Sequence, residues 1–418
     1  MRLLPMLLRR VIRAGSLTLI GPDGASETFA GEAPGPQVTV RINDPSLDRK
    51  LMLNPELRFA EAYMNGGLDI APEDLREVLR LFKLNQANLK RTASQSVFRS
   101  FAKVVKRVVR NNPIRSRSNV KAHYDIGNDL YRLFLDEDLQ YTCAYFPRGD
   151  ETLEEAQLAK KRHVAAKLML RPGQRVLELG CGWGGMALYL AQVADVEVTA
   201  VTLSEEQVSL AKERAKKLGL ADRVRFELMD YRAVEGQFDR VFSVGILEHI
   251  GASNLPVYFN TVRDRLAPGG VSVTHSIVRM NPPGLTSPFT AKYIFPGGYI
   301  PALSETAAAV ERSKMWLLDC EILRKHYAFT LRDWADRFAA NRDKAKAMYD
   351  ERFCRMWELY LLGAESSFLD GRMANMHLQM AHERDAVPLS RDYIAEETQR
   401  LMRREAELGI RPAVHSAA

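Results

Sequence analysis

A strand-like stretch, Arg175 to Leu179, runs without a break into Gly180-Cys181-Gly182-Trp183-Gly184-Gly185 and then into a helical pattern, and few folds accommodate that transition. Glycines remove side chains from such a bend, so backbone N–H groups and the next helix's N-terminus can approach a ligand closely. Gly180, Gly182 and Gly185 satisfy GxGxxG, a spacing shared with dinucleotide-binding folds and weak taken alone. Two details separate the possibilities. Glu178 stands two residues before the first glycine, where it can reach the amino group of an S-adenosylmethionine tail, and the acid about 20 residues on that would hold an NAD ribose is missing. The stretch therefore reads as a methyl-donor turn; the plainer alternative is a purely structural strand-to-helix bend.

Around this turn strands and helices alternate: Arg175 to Leu179, Val196 to Thr202, Arg223 to Leu228, Asp239 to Val244 and Val271 to His275, with helices between. That order predicts a parallel, doubly wound, Rossmann-like sheet, the class I methyltransferase fold. A long helix around Thr152 to Leu170 precedes it. A proline- and aromatic-rich segment from Asn281 to Pro301 interrupts the alternation and reads as a lid or channel wall, and helices are expected over Leu331 to Met348, Cys354 to Phe368, Met373 to Ala381 and Asp392 to Leu408. The tail from Ala413 to Ala418 is expected to be disordered. Residues 1–90 read as a small α/β unit, with strands at Ser16 to Ile20 and Gln37 to Ile42 around a turn-rich Gly21 to Pro36, and helices at Leu57 to Met64 and Pro72 to Leu84.

Positive charge is concentrated between these units. From Lys90 to Lys121 there are ten basic and no acidic residues, more than the formal net charge of the whole chain, +7. Val97, Phe98, Phe101, Val104, Val105, Val108 and Val109 fall on one arc of a helical wheel, with Arg99, Lys103, Lys106, Arg107 and Arg110 opposite. A basic amphipathic helix of this kind can lie on an anionic membrane surface. It can equally be an interdomain helix with solvated charges. Nucleic acid is not expected, because no aromatic residues interleave with the basic ones beyond two on the apolar face.

Cys143, Cys181, Cys320 and Cys354 form no CxxC pair, so neither structural zinc nor a disulfide framework is expected, and a reducing cytoplasm fits. The apolar run at Met1 to Leu8 is interrupted by Pro5 and closed by Arg9 and Arg10, too short for a signal segment. A soluble or peripheral protein is expected.

In a doubly wound sheet ligands collect beyond the carboxyl ends of the strands. Glu248 follows the Asp239 to Val244 strand, and His275 ends the next one. If those strands are neighbours, about 4.8 Å apart, both side chains can face one mouth. A lone Glu at such a place is more often a helix N-terminal charge; the pairing with His275 is what points to chemistry.

The motifs His123-Tyr124-Asp125-Ile126-Gly127-Asn128-Asp129, Gln140 to Phe146, Val201-Thr202-Leu203-Ser204-Glu205-Glu206-Gln207, Gly245 to Gly251 and Ile294-Phe295-Pro296-Gly297-Gly298, with the glycine turn, closely resemble those of cyclopropane-fatty-acyl-phospholipid synthases and their mycolic-acid-modifying relatives. The resemblance covers about 121–380, and the first 90 residues are similar to the extra domain of the bacterial phospholipid enzymes. It implies an N-terminal lipid-binding or dimerisation domain over 1–90, a basic linker over 91–120 and a catalytic domain over 121–410. It also implies a homodimer on the inner face of the cell membrane, acting on an unsaturated acyl chain of a membrane phospholipid. S-adenosylmethionine would be held by Tyr124, Thr142, Glu178, Gly180, Gly182, Thr202, Gln207 and Asp230, with no metal. A bound bicarbonate, the proton acceptor of the family's chemistry, would be held by Cys143, Glu248, His275, the backbone at Ile277 and Tyr327, with His275 and Tyr327 as donors. Two alternatives stay open: a branched rather than cyclic product, and a lipid-binding module with a vestigial cofactor fold. Cys143 has a further reading as a reactive thiol, although nothing basic adjoins it in sequence.

Overall fold

The computed structural model describes residues 3–86, 88 and 127–412; the basic segment, Tyr124 and the carboxyl-terminal tail lie outside the described residues. Two compact units interleave along the chain. One comprises Met1–Val109, Leu285–Pro296 and Leu331–Arg372, the other Arg110–Gly284, Gly297–Thr330 and Met373–Ala418. Sequence order had grouped residues 331–372 with the catalytic region, whereas they cluster with the amino-terminal residues.

The reason lies in the helix Leu75–Leu84, which buries Leu75, Val78 and Leu81 on one face. Its polar flank meets the helix Glu351–Leu369: Arg76 pairs with Glu365 at 3.0 Å and Arg80 with Asp370 at 3.2 Å. The same unit holds a small sheet of β1 (Ala14–Ile20), β2 (Ser26–Ala30), β3 (Ala33–Ile42) and β4 (Leu68–Asp69) in the order β2-β1-β3-β4. In β1 the buried residues Leu17 and Leu19 alternate with half-buried ones, the period-2 pattern that made it legible. Strand β2 was expected as part of a turn-rich stretch, and only its Phe29 is buried, so it had almost no hydrophobic period to show.

The second unit is built on seven strands: β5 (Arg175–Leu179), β6 (Glu197–Thr202), β7 (Val224–Leu228), β8 (Phe238–Val244), β9 (Leu266–Arg279), β10 (Trp316–Leu323) and β11 (Met373–Ala381), in the order β10-β11-β9-β8-β5-β6-β7. Strands β5 to β9 pair in parallel, and β10 and β11 join antiparallel. Successive strand residues feed opposite faces. Val176, Val198, Ala200 and Phe242 enter one apolar cluster, while Leu177, Leu179, Val201 and Val241 enter the other. The chain builds outward from β5 through β6 to β7, then returns to place β8 on the other side of β5. Strand order therefore reverses between β5 and β8, the place where such sheets bind ligands.

Met373–Ala381 corrects the sequence expectation of a helix. Methionine, alanine and leucine favour helices, but Ala374, Met376, Leu378 and Met380 alternate with Asn375, His377 and Gln379, a strand period that outweighs local preference once both faces are covered. The segment pairs with β9 along its whole length and with β10 from Asn375 to Ala381. Between Asn281 and Pro301 the chain makes a short π-helix, Thr290–Ile294. No described helix is long and apolar enough to cross a membrane.

Candidate active site

The turn after β5 is shaped by three glycines with positive φ, Gly180, Gly182 and Gly184. Two of them are needed for different reasons. A Cβ on Gly184 would lie 2.6 Å from the Phe226 ring, so that position is closed by packing, whereas a Cβ on Gly182 would meet nothing within 4 Å. Gly182 thus leaves open backbone beside the start of the helix Gly185–Ala194. Amide groups of Gly180 and Cys181 both donate to the Val201 carbonyl, tying the turn to the end of β6.

Glu178 is buried, and its carboxylate accepts the Ala187 N–H on one side while Oε2 has no partner. Burial pushes this carboxyl up to about 8. A buried acid with an orphan oxygen is a seat for a cation, and the ammonium of an amino-acid tail supplies one. Thr202 and Gln207 are buried together, with the Thr202 hydroxyl donating to Gln207 Oε1 at 2.8 Å. Asp230, just beyond β7, accepts from the backbone and guanidinium of Arg232, so its carboxylate is already paired. Thr142 reaches the same mouth: its methyl lies 3.1 Å from the Cβ position of Gly245, and Ile246 lies 3.1 Å from that of Gly180. The residues expected to hold the donor, apart from the undescribed Tyr124, thus stand at or beyond the carboxyl ends of β5, β6, β7 and β8.

Lys160 was missed by sequence reasoning. It is fully buried on the helix Leu153–Leu168 and donates to Thr142 Oγ1 at 2.9 Å and to Gln140 Oε1. Burial pulls its ammonium down to about 8, and its charge acts on Cys143, Glu178 and His275. A lysine inside a helix usually reads as a solvated charge, and nothing in the sequence marks this one as different.

Of the five residues expected around the anion, Glu248 and Ile277 are joined directly: Ile277 N–H donates to Glu248 Oε1 at 2.5 Å. Glu248 Oε2 is buried without a partner, and burial pushes the carboxyl up to about 7. The Ile277 amide therefore serves the site through Glu248. His275 lies on the neighbouring strand as expected, in register with Val244, and its carbonyl accepts from Gly245 N–H at 2.9 Å. Its ring departs from expectation. Both nitrogens are engaged, Nδ1 with His377 at 2.7 Å and Nε2 with the Asn375 amide at 2.5 Å, and burial holds the ring neutral. Neither partner was singled out, because both sit in the segment read as a helix.

Cys143 is fully buried, donates from Sγ to the Ala144 carbonyl at 3.2 Å, and is pushed upward by burial, so it remains a thiol rather than a reactive thiolate. Ala144 and Phe146, one and three residues after it, are laced to the start of the helix His326–Ala340: Ala144 N–H donates to Thr330 Oγ1 at 3.0 Å and Phe146 N–H to His326 Nδ1 at 3.0 Å. These bonds bring Cys143 to the end of the helix that carries Tyr327, itself buried.

A mostly parallel seven-stranded sheet with a glycine turn at its reversal point and a buried acid before it defines an S-adenosylmethionine-dependent methyltransferase. The family model described as mycolic acid cyclopropane synthetase matches residues 111–378, and a domain of unknown function matches residues 12–94. The chain belongs to the mycolic acid cyclopropane synthetase family. It is 35% identical to the cyclopropane-fatty-acyl-phospholipid synthase of Escherichia coli K12 over 342 residues, covering 81% of this chain and 85% of that one. To a probable fatty acid methyltransferase of Pseudomonas putida it is 34% identical over 357 residues, 83% and 88% of the two chains. The crystal structure of mycolic acid cyclopropane synthase CmaA1, complexed with SAH and CTAB, superposes with a TM-score of 0.61 at 30% identity, covering 65% of this chain and 99% of that one.

Proposed function

We propose that the protein adds a methylene unit from S-adenosylmethionine across the cis double bond of an acyl chain in a membrane phospholipid, giving a cyclopropane. An alkene is a feeble nucleophile, and the donor supplies a strongly electrophilic methyl group. Methyl addition leaves a positive charge on the lipid chain, and loss of a proton from the added methyl closes the ring. Bicarbonate, bound beside that charge, would supply the oxyanion for this proton. Glu178 would take the donor's ammonium, with Thr142, Gly180, Gly182, Thr202, Gln207, Asp230 and Tyr124 around the rest of it.

The observation that carries this reading is the free oxygen of Glu248. A carboxylate beside an anion would repel it, but a carboxyl pushed up to about 7 can keep its proton and donate from Oε2. Cys143, His275 and Tyr327 would complete the enclosure. CTAB, a long alkyl chain on a cationic head, is the kind of molecule that a site for a charged lipid intermediate would admit, and a family member is known bound to it.

The test is to incubate the protein with labelled donor and vesicles of cis-unsaturated phospholipid. The expected lipid is one CH₂ heavier and has lost its double bond; unchanged lipid under saturating donor would count decisively against the proposal. A second reading, a methyl- or methylene-branched acyl chain, is favoured by the name of the Pseudomonas relative, a probable fatty acid methyltransferase. Mass spectrometry before and after catalytic reduction separates ring from branch. Peripheral attachment to an anionic membrane, through the basic segment or the amino-terminal unit, and a homodimer belong to the same proposal.

A further inference from the structure

Lys160 and Lys167, on the helix Leu153–Leu168, are both fully buried, and they are answered differently. Lys167 has carboxylates, Asp319 at 3.1 Å and Glu321 at 2.7 Å. Lys160 has neutral oxygens, Gln140 Oε1 and, at 2.9 Å, Thr142 Oγ1. Among the described residues no carboxylate comes within ion-pair distance of it. Burying an ammonium without a counter-charge is costly, so this one calls for an explanation.

Its partners are themselves held. Gln140 Nε2 donates to Asp138 Oδ2 at 3.0 Å, which turns Oε1 toward Lys160. Gln157, one turn before Lys160, donates from Nε2 to the carbonyls of Gln140 at 3.1 Å and Thr142 at 2.9 Å. One face of the helix thus grips the stretch from Gln140 to Thr142 through both backbone and side chains.

An ammonium donates and cannot accept. Thr142 Oγ1 therefore directs a lone pair at Lys160, and its own proton points elsewhere; among the described residues that proton finds no acceptor. Thr142 is half-buried, and its methyl stands 3.1 Å from the Cβ position of Gly245, just past the end of β8. The hydroxyl proton is left for an acceptor in that mouth.

We infer that Lys160 is a positioning residue that fixes the Thr142 hydroxyl as a hydrogen-bond donor to a carboxylate-type oxyanion, either the methyl donor's own carboxylate or bicarbonate. This rests on the proposed function, which sets Thr142 around the donor and Cys143, the next residue, beside the anion. Lys160 is enclosed and acts through the oxygen of Thr142. Its charge, with no carboxylate beside it, polarises the hydroxyl and strengthens it as a donor.

The bond is reversible. A neutral amine carries a lone pair and accepts from the Thr142 hydroxyl, which turns the proton inward and away from the oxyanion. Burial pulls the Lys160 ammonium down to about 8, within reach of a binding experiment. Asp136, Asp138 and Cys143 act on Lys160 from the adjoining stretch, Lys161 from its own helix, Glu178 from β5, His275 from β9 and His377 from β11. Glu178 titrates in the same range, so the readout has to cancel it.

Calorimetry on the full chain, without lipid, does so by comparing S-adenosylmethionine with its decarboxylated analogue, since both carry the ammonium and only one the carboxylate. At pH 7, K160M and T142V should each weaken S-adenosylmethionine about ten-fold and the analogue by less than about two-fold, while T142S keeps the parent's preference. The double variant K160M/T142V should bind no worse than T142V, because Lys160 acts only through that hydroxyl; a merely structural lysine would make the losses add. Between pH 7 and 9 the preference for the carboxylate should fall more steeply in the parent than in K160M, the ligands' own ionisation being common to both proteins. If the oxyanion is bicarbonate, K160M should leave both affinities alone and raise about ten-fold the Kd read from the line width of ¹³C-bicarbonate. A K160M protein with unchanged affinity for S-adenosylmethionine and for bicarbonate overturns the inference, as do additive losses in the double variant. A parent that binds no S-adenosylmethionine removes the donor site and this inference together, whereas normal binding with unaltered lipid removes the proposed reaction and leaves the role of Lys160 standing.

Discussion

The Ile277 amide donates to one oxygen of Glu248 at 2.5 Å and leaves the other oxygen buried with nothing to bond. That asymmetry splits the carboxyl into an anchored half and a working half. E248Q keeps the anchor, since its carbonyl still accepts from Ile277, but it cannot pass a proton. Turnover should fall about 10²–10³-fold with donor binding unchanged, read by steady-state kinetics and calorimetry.

The same variant carries a stability signature. In the folded protein the Glu248 carboxyl is raised to about 7 from an ordinary 4.5, so folding favours its protonated form. Stability from this group is fully present below the unfolded value and is lost as pH climbs from about 4.5 to about 7. A shift of this size corresponds to roughly 3 kcal/mol. E248Q should escape that loss, so its denaturation midpoint should rise relative to the parent's between pH 5 and 7. Parallel pH curves for the two proteins would contradict the burial of this carboxyl.

If Glu178 seats the donor's ammonium as proposed, donor binding is a proton-coupled event. Burial holds its carboxyl up to about 8, so at pH 7 it is largely protonated, and the ammonium of the donor should drive the proton off. Titration with S-adenosylhomocysteine in buffers of different ionisation enthalpy should therefore show release of up to one proton at pH 7, fading above pH 9. E178Q should bind more weakly and release none. A binding enthalpy independent of buffer would place the ammonium elsewhere.

The strands and the turn that frame the candidate site were legible because their landmarks are local. Strands β5, β6 and β8, the glycine turn, Glu248 and His275 sit in short windows whose apolar runs and turns speak for themselves. What stayed hidden depends on strands distant in sequence. His377 becomes a neighbour of His275 only because β11 inserts beside β9, and β11 is composed of good helix formers whose strand period shows only on strict alternation. Lys160 looks like any helical lysine until the loop of Gln140 and Thr142 closes over it. The interleaving of residues 331–372 with the amino-terminal unit was likewise beyond local reading, since its ion pairs join residues nearly 300 apart, as in Arg80 with Asp370.

The glycine turn yields a contrast within two residues. G184A forces a Cβ to within 2.6 Å of the Phe226 ring at a positive φ, so it should cost stability, about 2 kcal/mol or more by denaturant unfolding. G182A meets open space and bears only the backbone strain, about 1 kcal/mol. Its methyl, however, should stand where a ligand approaches, so G182A should stay folded and lose donor affinity about ten-fold or more. Equal losses of stability in the two variants would remove the distinction.

Membrane attachment is the prediction that rests on sequence alone, since Lys103, Lys106, Arg107 and Arg110 lie outside the described residues. Each basic residue near an anionic surface contributes about 1 kcal/mol, and the contribution is screened over about 10 Å at 0.1 M salt. Replacing all four by glutamate should therefore weaken sedimentation with anionic vesicles by at least a hundred-fold. In the parent protein, raising the salt should weaken it in the same direction. Turnover on lipid dispersed in neutral detergent should survive the four substitutions, because none of these residues is expected to hold donor or anion. Vesicle binding that ignores both charge reversal and salt would assign attachment to the amino-terminal unit, whose helix Leu3–Val11 leaves Leu3 and Met6 exposed beside Arg9 and Arg10.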